Sequence, residues 1–176
     1  LTGRHKKVAQ LLKKRMKDAS RSLHFEDAAK FRDQIHNLER ATMRQKVVSN
    51  DLTDWDTIAI SCEDDEACGV VMEIRDGRLI SRQSYFLGGV LNLPLSEVIS
   101  NFLTQFYSAA TFIPKEINIR EDIPDRELIL DWLSEKAGGF AEIRIPQRGD
   151  KERLLRMAEN NAALLLTERR LKRENR

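Results

Sequence analysis

The side chains best suited to chemistry in this chain are its carboxylates. Two divalent metals clamping a phosphate would need several of them to converge. The candidates are Asp54, Asp56, Asp64, Asp65, Glu97, Glu121 and Asp122. The stretch Thr57-Ile58-Ala59-Ile60-Ser61-Cys62 reads as a first strand and carries none of them. Asp54 and Asp56 precede it, Asp64 and Asp65 fall in the turn behind it, and the rest are scattered. Turns, helix caps and a solvated face therefore account for these acids better than a metal-dependent nuclease centre does.

Other chemistries find less to work with. Cys62 and Cys68 are the only thiols, and all three histidines lie before residue 37, so spacing offers neither a four-ligand zinc site nor a Cys/His nucleophile. His24 and His36 read as surface side chains. There is no phosphate-binding glycine loop, no H-E-x-x-H and no Ser/His/Asp pattern. The expectation is no metal, no cofactor and a reducing cytoplasmic setting. Arg148, Lys151 and Arg153 stand at the start of a helix, where free backbone N–H groups attract phosphate. A plain capped helix start, with Arg148-Gly149-Asp150 as turn and cap, is the alternative.

The elements that must position these groups follow from charge and period. The 176 residues are 41% hydrophobic and 33% charged, with 30 basic against 28 acidic side chains. The net +2 hides a basic segment over 1–50 (+8), an acidic one over 51–142 (−11) and a basic one over 143–176 (+5). No apolar run approaches the roughly 18 residues of a membrane span, so no membrane role is expected. The opening lacks an initiating Met and a secretory pattern, and the chain reads as cut from a longer protein.

Val8, Leu11, Leu12, Met16, Ala19 and Leu23 recur at helical spacing. Ala28, Phe31, Ile35, Leu38 and Thr42 then step by three and four like a coiled-coil seam. Residues 4–45 thus form an antiparallel helical hairpin, too small to be stable alone. The polar run Ser49 to Asp54 reads as a linker that lets it stand apart; packing on the rest of the chain is the competing arrangement. The expected division is 1–46 hairpin, 47–54 linker and 55–176 sheet domain.

From Trp55 the period changes to that of strands, with Asp76-Gly77 as a two-residue hairpin turn. Pro94 introduces a helix burying Val98, Ile99 and Phe102. A strand over 116–120 follows, then a helix capped by Asp125 that buries Leu128, Ile129, Trp132 and Leu133 and stops at Gly138-Gly139. A strand over 141–145 precedes a long helix capped by Asp150. The order βββαβαβα describes an α+β chain, with a mixed sheet of the ribonuclease H-like kind behind an N-terminal α-hairpin.

The run Leu23-His24-Phe25-Glu26-Asp27-Ala28-Ala29-Lys30-Phe31-Arg32-Asp33-Gln34-Ile35 closely resembles the UVR motif, L-x-F-E-x-A-A-x-x-R-D-x-I, shared by the UvrB and UvrC proteins of the bacterial UvrABC excinuclease. Further runs, Phe102-Leu103-Thr104-Gln105-Phe106-Tyr107, Ile113-Pro114-Lys115-Glu116-Ile117 and Pro146-Gln147-Arg148-Gly149-Asp150-Lys151, resemble the central region of the UvrC family. The resemblance implies a UvrB-binding hairpin and a catalytically inactive ribonuclease H-like scaffold. In that family the two incision sites belong to a GIY-YIG domain and to a later ribonuclease H-like domain.

By the same resemblance Phe25, Glu26, Ala29, Phe31, Arg32 and Ile35 face the C-terminal UVR hairpin of UvrB, and damaged DNA is reached through the UvrB–DNA complex. Two readings compete with recruitment. One is a metal-dependent nuclease. The other is direct DNA binding through Lys6, Lys7, Lys13, Lys14, Arg148 and Lys151.

Overall fold

The computed structural model describes residues 2–47 and 54–176, with side chains for 7–38 and 54–176. Its elements are α1 (Thr2–Arg21), α2 (Phe25–Val47), β1 (Trp55–Glu63), β2 (Glu66–Arg75), β3 (Arg78–Gly88), α3 (Leu95–Ala109), β4 (Glu116–Asn118), α4 (Arg126–Ala137), β5 (Glu142–Arg144) and α5 (Gly149–Glu174). The predicted order of elements is the observed one.

The strands form one mixed sheet in the order β3-β2-β1-β4-β5. β1 to β3 are antiparallel neighbours, while β4 and β5 join in parallel, as the helical crossovers require. The β2–β3 turn places Asp76 and Gly77 at φ 51° and 71°, the paired positive values of a type I′ turn. Gly69 in β2 serves a close approach. A Cβ there would stand 2.7 Å from the Phe102 ring, so only glycine lets α3 settle on the sheet.

Each sheet face has its own core. Ile58, Ile60, Val71, Ile117 and Ile143 pack under Ile99, Phe102, Leu103 and Leu133 of α3 and α4. Trp55, Ala59, Val70 and Met72 pack under Leu154, Leu155, Ala158 and Ala162 of α5. This is the mixed sheet with helices on both faces expected of a ribonuclease H-like α+β fold.

The hairpin does not stand apart. Leu12, Met16, Ala28 and Ile35 share a buried cluster with Leu164 of α5, and Phe31 packs against it. α1 and α2 therefore extend the α5 layer, with α2 reaching β3. The physical reason is area: the hairpin's seam is too small to close on itself, and Leu164 completes it. Within the expected 47–54 linker, residues 48–53 lie outside the described residues.

Five local readings need correction. Asp56 does not precede β1, which begins at Trp55; it sits inside the strand and is 1% exposed. His36 is no surface residue, because the docked hairpin buries it to 8% exposure. Leu128 is 71% exposed, on the outer side of α4. Asp125 takes a left-handed φ of 55° and makes no side-chain cap for α4. Asp150 lies in the first turn of α5 rather than at its cap, which is Arg148.

Candidate functional site

The hairpin tip is built around a strained leucine. α1 closes with the His24 N–H on the Ala19 carbonyl at 2.8 Å and the Leu23 N–H on the Ser20 carbonyl at 3.2 Å, a Schellman pair. That geometry puts its central residue in the left-handed region, usually given to glycine. Here it is Leu23, at φ 63° and 65% exposed. Phe25, the first residue of α2, is 37% exposed beside it. A left-handed leucine costs about 1 kcal/mol against glycine, and the side chain that incurs this cost is mostly exposed.

The residues assigned by the sequence divide into two groups. Glu26 and Phe25 are exposed and Ala29 is half-buried, with Phe25 and Ala29 bordering a groove against the end of α5. Phe31, Arg32 and Ile35 turn to α5: Ile35 is fully buried, and Arg32 pairs with Glu168 as well as with Asp33 at 2.9 Å. Beside the second group sits His36, whose Nδ1 lies 2.8 Å from Asn161 Nδ2 and 3.0 Å from Arg82 Nη1. A guanidinium only donates, so Nδ1 accepts and the ring proton belongs on Nε2. Burial, followed by the charges of Arg82 and Arg32, holds His36 down to about 4 despite Asp33 and Glu168 nearby.

The motif gave Leu23, Phe25 and Arg32, but sequence reading assigned Leu23 no role at the site and missed Asn161, Arg82 and Glu168 as neighbours of the hairpin. Contacts across more than 40 residues leave no trace in local spacing. The signal available was a leucine in the place where a helix-ending glycine belongs.

Inside the sheet domain, Asp56 is a buried strand carboxylate. Its Oδ2 accepts from the Tyr107 hydroxyl at 2.6 Å and its Oδ1 from Arg75 at 2.8 Å. Burial pushes its pKa up, opposed by the Tyr107 hydrogen bond and the Arg75 charge. Both oxygens are thus taken by the chain's own donors. Among the described residues no three His, Cys, Asp or Glu side chains gather as metal ligands. Glu121 and Asp122 are exposed beyond β4.

At the start of α5, Lys151 bonds Glu116 at 2.7 Å and lies 5.0 Å over the Trp55 ring, and Arg153 pairs with Asp150 at 3.3 Å. Arg148 is exposed. Lys7 and Lys14 are exposed on α1 and Lys13 is half-buried, whereas the side chain of Lys6 lies outside the described residues. The hairpin meets α5 at Leu164, about 20 Å along the axis from Lys151 at a rise of ~1.5 Å per residue. Among the described residues no helix is long and apolar enough to cross a membrane.

Comparison with known proteins agrees with this architecture. Residues 54–169 match the family described as UvrC Ribonuclease H-like domain, and residues 6–41 match the UvrB/uvrC motif. Among curated proteins the chain is similar to the UvrABC system protein C of Symbiobacterium thermophilum, 40% identical over 174 residues, covering 99% of this chain and 28% of that protein. It is also similar to the proteins of that name from Clostridioides difficile, 38% identical over 92% of this chain and 27% of that protein, and Acetivibrio thermocellus, 38% identical over 99% and 28%. The chain spans a little over a quarter of the length of these relatives.

Proposed function

Because the chain belongs to the UvrC family, with a ribonuclease H-like domain behind a UvrB/UvrC motif, we propose that this region recruits and does not cut. In this reading the hairpin binds the C-terminal UVR hairpin of UvrB and brings the incising protein to damaged DNA during nucleotide excision repair. The sheet domain is the scaffold that holds the hairpin, in the cytoplasm. Both incision sites lie in other parts of the parent protein.

One observation carries this reading: Leu23, held at a left-handed φ, and Phe25 are both exposed apolar side chains at the turn between the two helices. An aromatic and an aliphatic side chain at a helix connection make a natural anchor for a small helical partner. The state of Asp56 supports the non-cutting half. Tyr107 and Arg75 occupy its oxygens, and Arg75 supplies the positive charge that a metal ion would bring.

The test is a calorimetric titration of the chain with a peptide spanning the C-terminal UVR hairpin of UvrB, set beside the Phe25→Ala variant. Saturable binding that the variant weakens by more than ~1 kcal/mol supports recruitment. A folded chain that binds no peptide ends it.

A further inference from the structure

We infer that the C-terminal half of α5 is an internal ligand of the hairpin, and that the partner helix must displace it. The inference rests on the recruitment reading and concerns the regulation and chemistry of the same surface.

Half of the face assigned to the partner is already occupied. Ile35 is fully buried in a cluster with Leu164, Phe31 packs on the same cluster, and the Arg32 guanidinium pairs with Glu168. Further along, a small groove of about 60 Å³ remains between Met16, Phe25, Ala29 and Arg32 on the hairpin and Glu168 and Leu171 on α5. Leu164, Glu168 and Leu171 stand at i, i+4 and i+7, so they form one face of α5.

That face defines what the hairpin accepts: an amphipathic helix with an aliphatic residue, a carboxylate one turn on, and a second aliphatic residue beyond it. A partner using Phe25, Ala29, Arg32 and Ile35 together would place its own carboxylate where Glu168 now stands. The two helices cannot share the site. Partner affinity is then the intrinsic affinity reduced by the fraction of chains whose hairpin has let go of α5. Phe25 borders the groove against α5, while Leu23 at the tip, 65% exposed, gives the partner a first foothold.

The seam has the composition of a releasable contact. Arg32 and Glu168 are each about one-fifth exposed, and Lys172 competes for Glu168 at 2.7 Å. The buried apolar part is a single small cluster.

The experiment titrates the UvrB hairpin peptide into the whole chain, the Glu168→Arg variant and the milder Glu168→Gln variant, with hydrogen exchange of α2 followed in parallel. Glu168→Arg sets two cations against each other on an accessible stretch of α5 without touching the sheet core. Peptide affinity is expected to rise roughly fivefold or more in Glu168→Arg and less in Glu168→Gln, with faster exchange along α2. Binding of unchanged or lower affinity in Glu168→Arg overturns the internal-ligand inference while leaving recruitment standing. No binding by any of the three removes recruitment and the inference with it.

Discussion

Of the eleven largest fully buried side chains among the described residues, ten belong to the sheet domain and one, Ile35, to the hairpin. The sheet domain is sandwiched, with a helical core on each face, and β1 is buried on both sides over Trp55 to Ile60. The hairpin has one narrow seam that Leu164 must complete. The difference teaches where movement can occur. A region held by two cores opens only by unfolding, whereas one held by a single seam can part from its support at a small fraction of that cost.

The comparison can be broken most directly by cavities of equal kind in the two regions. Leu103→Ala removes a fully buried side chain from beneath α3, and Ile35→Ala one from the hairpin seam. Each deletion should cost about 3 kcal/mol locally. Leu103→Ala is expected to lower the denaturation midpoint of the whole sheet domain. Ile35→Ala should raise hydrogen exchange in α1 and α2 and leave the sheet's midpoint near its parent value. If Ile35→Ala lowers the sheet's midpoint as far as Leu103→Ala does, hairpin and sheet form one cooperative unit and the contrast is wrong.

Much of this arrangement is legible in the sequence, and the failures share a cause. The turns at Asp76-Gly77 and Gly138-Gly139 declare themselves because backbone geometry demands those residues. The motif at Leu23 to Ile35 announces the hairpin. What stays hidden depends on contacts between distant segments. Asp56 reads as a polar residue ahead of a strand because its partners, Arg75 and Tyr107, arrive from 19 and 51 residues away. His36 reads as solvated because Asn161 comes from 125 residues away. Residue types at a site follow local rules, but occupancy of a site is decided by which surfaces the fold leaves uncovered, and so the seam on α5 had no local signature.

A gentler way to separate the regions is acid. His36 is held at about 4 in the seam against about 6.5 when unfolded or released. The neutral ring is the one the docked state prefers, so the stabilisation is complete above the released value and is lost as pH falls from there through 4. Between pH 7 and 5 the seam should lose on the order of 1 kcal/mol, while no comparable histidine sits in the sheet core. Exchange along α2, corrected for the intrinsic pH dependence, should accelerate over that range before β1 and β2 respond. A His36 resonance that titrates near 6.5 would show that the ring is not buried in the docked state.

The smallest effect discriminates most sharply, because stability and function should move in opposite directions. Leu23→Gly places at φ 63° the residue that geometry favours, and should stabilise the hairpin by about 1 kcal/mol. It also deletes an exposed aliphatic side chain beside Phe25, so affinity for the UvrB hairpin peptide should fall severalfold. Strain kept for its own chain's benefit would behave otherwise: removal would leave peptide binding as it was, or improve it by firming the hairpin. A more stable hairpin that binds its partner less well identifies the leucine as a contact maintained at the expense of the fold, and extends the working surface from the seam on α5 out to the tip.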